Sequence, residues 1–248
     1  MPEFIVYPAI DLRGGQVVRL KQGDPDRQIT FDPSPGRAAR RWLGEGARWL
    51  HVVNLDGAFG VQGTPNLAGL QQILSAAKKT GSRVQFGGGI RSLQDIEELD
   101  NLGVSRVILG TAAARDPGFV QEALTHYSPG TVAAGIDVRN GTVQVSGWTE
   151  GTDLDPIAYG RLLKGMGLQW AVYTDIHQDG MGRGLNVEAS RRFQEESGLK
   201  VIAAGGVSSL EDIQAARQAG LRGVIIGMAL YEGEVNLVEA LEIARGAG

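Results

Sequence analysis

Cysteine is absent from this chain, which excludes disulfides, thiolate catalysis and cysteine-ligated zinc and accords with a reducing cytoplasm. Histidine is scarce: His51, His126 and His177 are scattered without metal-ligand spacing, so no metal is expected. No apolar run approaches the roughly 20 residues that a membrane-spanning helix needs. The opening residues, acidic at Glu3 and only briefly apolar, do not read as a signal peptide. Excess positive charge is missing too. The formal net charge is −4 and the isoelectric point about 5.5, which leaves no electrostatic footprint for nucleic acid or an anionic membrane. Glycine, in contrast, accounts for 37 of 248 residues, roughly twice its average usage of about 7%. It has no triplet period and proline numbers only 9, so neither a collagen-like chain nor a Pro/Gly-rich disordered one fits. A soluble cytoplasmic enzyme or small-molecule binder is the expectation that remains.

Short, β-branched-rich apolar runs recur from end to end, at 4–10, 49–55, 83–86, 106–109, 131–136, 170–176, 200–204 and 223–226. Nearly continuous runs of that length read as strands covered on both faces. Between them lie helix-like stretches such as Asn66–Thr80, apolar at Leu67, Leu70, Ile73, Leu74 and Ala77, and Pro156–Met166. Gly44, Gly81, Gly103, Gly165, Gly198 and Gly220 stand where helices are expected to stop before the next strand. Eight strand signals alternating with eight helix signals in about 250 residues predict a (β/α)8 TIM barrel. No linker divides the chain, so residues 1–248 are expected to form one domain.

The chain also repeats itself. Gly88-Gly89-Ile90-Arg91-Ser92-Leu93-Gln94-Asp95-Ile96 returns 117 residues later as Gly205-Gly206-Val207-Ser208-Ser209-Leu210-Glu211-Asp212-Ile213. At the same spacing Ile108-Leu109-Gly110-Thr111-Ala112 returns as Ile225-Ile226-Gly227-Met228-Ala229. Ile10-Asp11-Leu12-Arg13-Gly14-Gly15 pairs with Ile136-Asp137-Val138-Arg139-Asn140-Gly141 at an offset of 126. A barrel built from two homologous half-barrels explains this order of motifs, and it sets paired motifs facing one another across the mouth.

Each repeat places glycines at a strand end just before a helix N-terminus, where free backbone N–H groups hold anions, phosphate above all. Gly88, Gly89, Gly110 and Thr111 would form one such site, and Gly205, Gly206, Gly227 and Met228 the other, on opposite sides of the mouth. Plain tight turns are the competing reading, but they account for one such element more easily than for four related by duplication. A small molecule with a phosphate at each end is the expected ligand. Asp11 and Asp137 end apolar strands at equivalent points of the two halves. That rim is where such barrels do their chemistry. Two facing carboxylates suit general acid and base work when their environments separate their pKa values; otherwise one caps a loop amide and the other is solvated. Asp56 and Asp175 end strands two and six as weaker candidates, and Thr174 is placed to hydrogen-bond a substrate hydroxyl. Arg19 fits a ligand contact or a surface strand, His51 the mouth or the core, and Trp148 a stacking platform for a planar ligand or simple packing.

Pro8-Ala9-Ile10-Asp11-Leu12-Arg13-Gly14-Gly15, followed by Val18-Arg19-Leu20 and Gln22-Gly23-Asp24, resembles the opening of the HisA family. These are the phosphoribosylformimino-5-aminoimidazole carboxamide ribotide (ProFAR) isomerases of histidine biosynthesis. The resemblance runs the length of the chain, through 51–58, 87–91, 135–139, Ser146-Gly147-Trp148, Thr174-Asp175-Ile176 and Asp179-Gly180. The sister HisF cyclases share the duplication, but Ala9 and Arg19 stand where their pattern typically has cysteine and a catalytic lysine. What the resemblance implies is a cofactor-independent Amadori rearrangement of an aminoaldose to an aminoketose, on a bisphosphorylated substrate, by a monomer.

It further implies that Asp11 is the base taking the proton from C2 of the opened sugar and Asp137 the acid opening the furanose. Some bifunctional relatives place the acid at the strand-six aspartate, here Asp175, which stays open as a second candidate. Arg19, His51, Trp148 and Thr174 would contact substrate. The acid must keep its proton near pH 7, far above the ordinary Asp pKa of about 3.9. A negative neighbour, or desolvation under lids formed by 21–32, 139–152 and 178–186, is the available cause. Two departures stand out. Asn54 occupies a position where the family usually has Asp, and Met228 one where Arg or Lys is common, which leaves the second phosphate site more dependent on backbone N–H groups. Two other readings stay open: a bifunctional enzyme that also isomerises phosphoribosylanthranilate in tryptophan biosynthesis, and a phosphosugar-binding barrel without catalysis.

Overall fold

Eight parallel strands form the centre of the molecule, seen in a computed structural model that describes residues 3–20, 23–61, 63 and 65–246. They are β1 (Ile5–Arg13), β2 (Trp49–Asn54), β3 (Arg83–Gly87), β4 (Arg106–Leu109), β5 (Val132–Arg139), β6 (Trp170–Asp175), β7 (Lys200–Ala204) and β8 (Gly223–Ile226). Each pairs with the next, and β8 pairs back onto β1 from Ile5↔Gly223 to Pro8↔Ile226, which closes the expected (β/α)8 barrel. Helices α1 (Pro35–Gly44), α2 (Asn66–Thr80), α3 (Leu93–Leu102), α4 (Pro117–His126), α5 (Pro156–Gly165), α6 (Val187–Ser197), α7 (Leu210–Gln218) and α8 (Leu237–Arg245) alternate with the strands. Helix α2 buries Leu70, Ile73, Leu74 and Ala77, the i, i+3, i+4, i+7 stripe of an amphipathic helix, whereas Leu67 is exposed. Gly81, Gly103 and Gly198 are left-handed C-caps. Helices α1 and α5 instead include Gly44 and Gly165 and stop one residue later.

Residue parity along the strands decides what reaches the mouth. Side chains alternate between faces with period two, and Tyr7 and Ala9 on β1, Trp49 on β2, Ile108 on β4, Ala133 on β5, Val172 on β6, Ile202 and Ala204 on β7 and Ile225 on β8 pack together inside the barrel. The intervening residues, such as Ile10, Leu50, Ala134 and Ala171, belong to the layer between strands and helices. Tyr173 shows this outward direction, stacking on Phe193 of α6 with ring centroids 4.8 Å apart. Continuing the inward column by two residues at a time brings Asp11, His51, Asp137 and Thr174 to the top.

The two halves repeat in three dimensions. β1 and β5 both run past the expected ends into antiparallel hairpins, pairing with 16–20 and 142–145 at the same register, Asp11↔Val18 and Asp137↔Gln144. The first hairpin has a third strand, Gln28–Asp32, so part of the expected lid 21–32 is sheet; Lys21 and Gln22 lie outside the described residues. Likewise 139–152 contains the hairpin strand Thr142–Val145 rather than loop alone. Ser92 and Ser209 cap α3 and α7, with Asp95 and Asp212 completing both capping boxes. Gly88 and Gly205 have φ of +96° and +90°, and a β-carbon there would stand 2.2 and 2.4 Å from the carbonyl oxygens of Asn54 and Asp175. Only glycine tolerates both demands. The same crowding at matched points explains why the doublet appears twice in the sequence.

Candidate active site

One groove crosses the barrel mouth in two lobes, of about 1040 and 310 Å3. The larger reaches Gly88, Gly89, Gly110 and Thr111, with Arg91 and Arg115 on its wall. The smaller reaches Gly205, Gly206, Gly227 and Met228, with Arg19. Asp11, His51, Trp148, Thr174 and Asp179 line both and so stand where the lobes join. The two glycine sets named from the repeats therefore end up at opposite ends of a single groove.

Asp11 is buried, and its Oδ2 accepts a hydrogen bond from Arg19 Nη1 in a direct ion pair. Its Oδ1 is buried without a partner among the described residues, an unused acceptor at the join of the lobes. Burial pushes the Asp11 carboxyl up from its ordinary range, and the Arg19 charge and hydrogen bond pull it back down. Burial also works against the Arg19 charge, but Asp11 and Asp179 more than offset it, so its pKa is raised. Arg19 is thus a half-buried cation of the groove, paired with Asp11, and not a surface strand residue. Its guanidinium lies against Gly227, where a β-carbon would overlap Nη2 at 1.3 Å. Gly227→Ala should therefore push Arg19 off Asp11; a roughly tenfold or greater fall in kcat/KM is expected, read by steady-state kinetics on a protein whose circular dichroism is unchanged.

Burial pushes the Asp137 carboxyl up from its ordinary range, and the Thr174 hydroxyl and Trp148 indole that face it pull it part of the way back. Trp148 sits at φ +70°, and a β-carbon on Gly23 would stand 2.5 Å from its ring. The indole is clamped between the first hairpin's loop and the carboxylate beneath it. Asp179 was not among the site residues expected from the sequence. It follows β6 in the segment 178–186, lines both lobes, and burial pushes its carboxyl up to about 6, with Asp11 and Asp137 adding to the rise and Arg19 opposing it. Its only prior signal was the Asp179-Gly180 motif.

The histidine biosynthesis protein family matches residues 5–236 of this chain. The chain belongs to that family. A relative from Geotalea uraniireducens is 45% identical over 245 residues, covering 97% of this chain and 98% of its own. One from Anaeromyxobacter sp. (strain K) is 45% identical over 240 residues, 97% and 99% of the two chains, and one from Pelotomaculum thermopropionicum 47% over 246 residues, 98% and 93%. All three carry the name 1-(5-phosphoribosyl)-5-((5-phosphoribosylamino)methylideneamino) imidazole-4-carboxamide isomerase.

In this member of the family Asp175 stands apart from the groove. It has outward parity on β6, next to inward Thr174. Its Oδ1 accepts from His177 N at 3.0 Å and its Oδ2 from Asn186 Nδ2 at 2.7 Å, so the carboxylate braces the loop leading to α6. Asp56 is likewise a brace: its Oδ2 accepts from Gly14 N at 2.8 Å and from Asn66 Nδ2 at 2.9 Å. Asn54, the departure noted above, caps the short helix Leu55–Ala58 by accepting from Gly57 N at 3.0 Å and takes a further bond from Asn66. It occupies the position on β2 that Asp175 occupies on β6, and each side chain is hydrogen-bonded into the loop that follows its strand. Among the described residues no cluster of His, Asp and Glu is arranged to hold a metal ion, and no helix is long and apolar enough to cross a membrane.

Proposed function

We propose that this chain isomerises ProFAR, the imidazole carboxamide bearing two 5-phosphoribosyl groups that its relatives' name describes, by an Amadori rearrangement in histidine biosynthesis. One observation carries the reading: three carboxylates stand between two duplication-related glycine cradles at the ends of one groove. The name contains two phosphates, and the groove has two ends suited to them. The larger lobe, with Arg91 and Arg115, takes one. The smaller takes the other through the backbone at Gly205, Gly206 and Gly227, with Arg19 and no cation at Met228. Trp148 gives the imidazole a flat surface to stack on.

Chemistry then requires a proton donor at the ring oxygen and an acceptor at C2. Asp179 lines both lobes and Asp137 the larger one, so both are candidates to donate. Asp179 is assigned the acid, because it stands at the join of the lobes with its carboxyl pushed up to about 6, whereas Asp137 lines only the larger lobe. Asp179 gives its proton to the ring oxygen, the furanose opens, and an iminium ion forms at C1. Asp137, facing that cation as a carboxylate, stabilises it. Asp11 removes the C2 proton through its free Oδ1, leaving a neutral enaminol. Protonation of C1 by Asp11 and return of the hydroxyl proton to Asp179 give the ketose and restore both groups. Turnover of ProFAR by the purified protein, followed spectrophotometrically, is the expected result; ligand binding with no turnover would instead mark a non-catalytic phosphosugar-binding barrel.

A further inference from the structure

Below the groove a chain of polar groups runs from the barrel floor to His51. Arg106 opens β4, and its buried guanidinium lies between the faces of Trp170 and Trp49, 4.2 and 4.8 Å from their centroids. Its Nε donates to Gly130 O at 3.0 Å and its Nη1 to Gln85 Oε1 at 3.2 Å. Gln85, on β3, has no exposed surface at all. A guanidinium only donates, so the Gln85 amide must turn its oxygen toward Arg106 and its nitrogen toward His51 Nδ1, which lies 3.0 Å away. That nitrogen only donates as well. Nδ1 must therefore be the bare, accepting nitrogen of the ring, and the single imidazole proton resides on Nε2.

We infer that Gln85 is a positioning residue: oriented by Arg106, it fixes His51 as the neutral Nε2–H tautomer and so offers the groove a hydrogen-bond donor without a second cation beside Arg19. The His51 ring lines both lobes, and among the described residues no protein group bonds its Nε2. The charged groups around it are Arg19 from the first hairpin, Asp11 on β1, Asp137 on β5, Asp179 after β6 and, behind Gln85, Arg106 on β4. Burial, with Arg19 adding to it, lowers the imidazole pKa to about 3, in keeping with a donor facing Nδ1. A neutral donor suits an oxygen of a hydroxyl, carboxamide or phosphate on the ligand, and it does not compete for protons with Asp11 or Asp179. Which oxygen it meets rests on the isomerase reading; the tautomer does not.

Nitrogen-15 NMR of the unaltered protein tests the tautomer directly, with His51 assigned by the signals lost in His51→Asn. Nδ1 is expected to show the shift of an unprotonated ring nitrogen and Nε2 that of a protonated one, unchanged between about pH 5.5 and 8.5. A proton on Nδ1, or titration of His51 within that range, overturns the inference. A protein inactive on ProFAR that still shows this tautomer would sink the isomerase reading and leave the inference standing. Gln85→Glu supplies the functional readout. Its carboxylate still accepts from Arg106 but also accepts from Nδ1–H, so the neutral ring moves its proton to Nδ1 and only the imidazolium retains Nε2–H. KM for ProFAR should then stay near the parent value at low pH. It should rise roughly tenfold as pH climbs through the raised His51 pKa, with kcat less affected. A folded Gln85→Glu protein whose KM follows the parent at every pH overturns the positioning role.

Discussion

Asp11→Asn should lower kcat by roughly 10²–10⁴-fold, the range that a positioned general base contributes. Asp11 Oδ2 is committed to Arg19, while Oδ1 is buried at the join of the two lobes with no partner among the described residues. A buried acceptor left unmade is costly in a folded protein, and Asp11 lines both lobes of the groove, so a bound substrate can supply the missing hydrogen. Burial pushes the carboxyl up, which makes it a stronger base, and the Arg19 charge and hydrogen bond oppose that rise. Asparagine has nearly the same shape and still offers Arg19 a carbonyl oxygen, so the groove and its phosphate ends remain. It cannot take a proton. The loss should therefore fall on kcat, with KM changing only a few-fold, and single-turnover experiments should show bound but unconverted substrate. Retention of more than about a tenth of the parent kcat in a folded Asp11→Asn protein would remove Asp11 from the mechanism.

Much of this arrangement is legible in the sequence. Eight apolar runs were enough for the barrel, because strands buried on both faces leave so plain a trace. The doublets at Gly88 and Gly205 carried the duplication, because backbone crowding admits nothing else at either point. Strand parity separates Thr174 from Asp175 in the same way. Counting by twos from Trp170 reaches Thr174 at the mouth and sends Asp175 out, although a carboxylate at a strand end is by chemical type the more conspicuous candidate. Asp179 was harder. It lies in the segment 178–186, which has no period, and what makes it an acid is burial at the mouth, with Asp11 and Asp137 from two other elements adding to the rise and Arg19 opposing it. The Arg19–Asp11 pair was hidden for a similar reason, since it depends on a hairpin folding over the mouth. The short helices 111–115 and 228–232 are too brief to show a helical period.

Asp179→Asn should nearly abolish turnover and at the same time stabilise the protein, whereas Asp175→Asn should do the reverse. Asp179 is pushed up to about 6 by burial, with Asp11 and Asp137 contributing. Between about pH 4 and 6 the folded protein keeps a proton there that the unfolded chain has released, so its stability declines as pH rises through that window and the full cost is present above it. Asparagine carries no charge to bury. At pH 8 the variant should be more stable by on the order of 2 kcal/mol, a rise in melting temperature of roughly 4–8 °C for a chain of this size; near pH 4 the two proteins should melt together. Activity moves the other way. The parent kcat/KM should fall as pH rises past about 6, where the acid loses its proton, and fall again at low pH as Asp11 gains one. The variant should lose roughly 10²-fold or more and with it the alkaline limb. Asp175 accepts from His177 N and Asn186 Nδ2, so its replacement should cost about 1 kcal/mol of stability and leave kcat within a few-fold of the parent. Melting curves and pH–rate profiles of both variants check this. The opposite pattern, an active Asp179→Asn and an inactive Asp175→Asn, would return the acid to the strand-six aspartate and break the link between burial and catalysis drawn here.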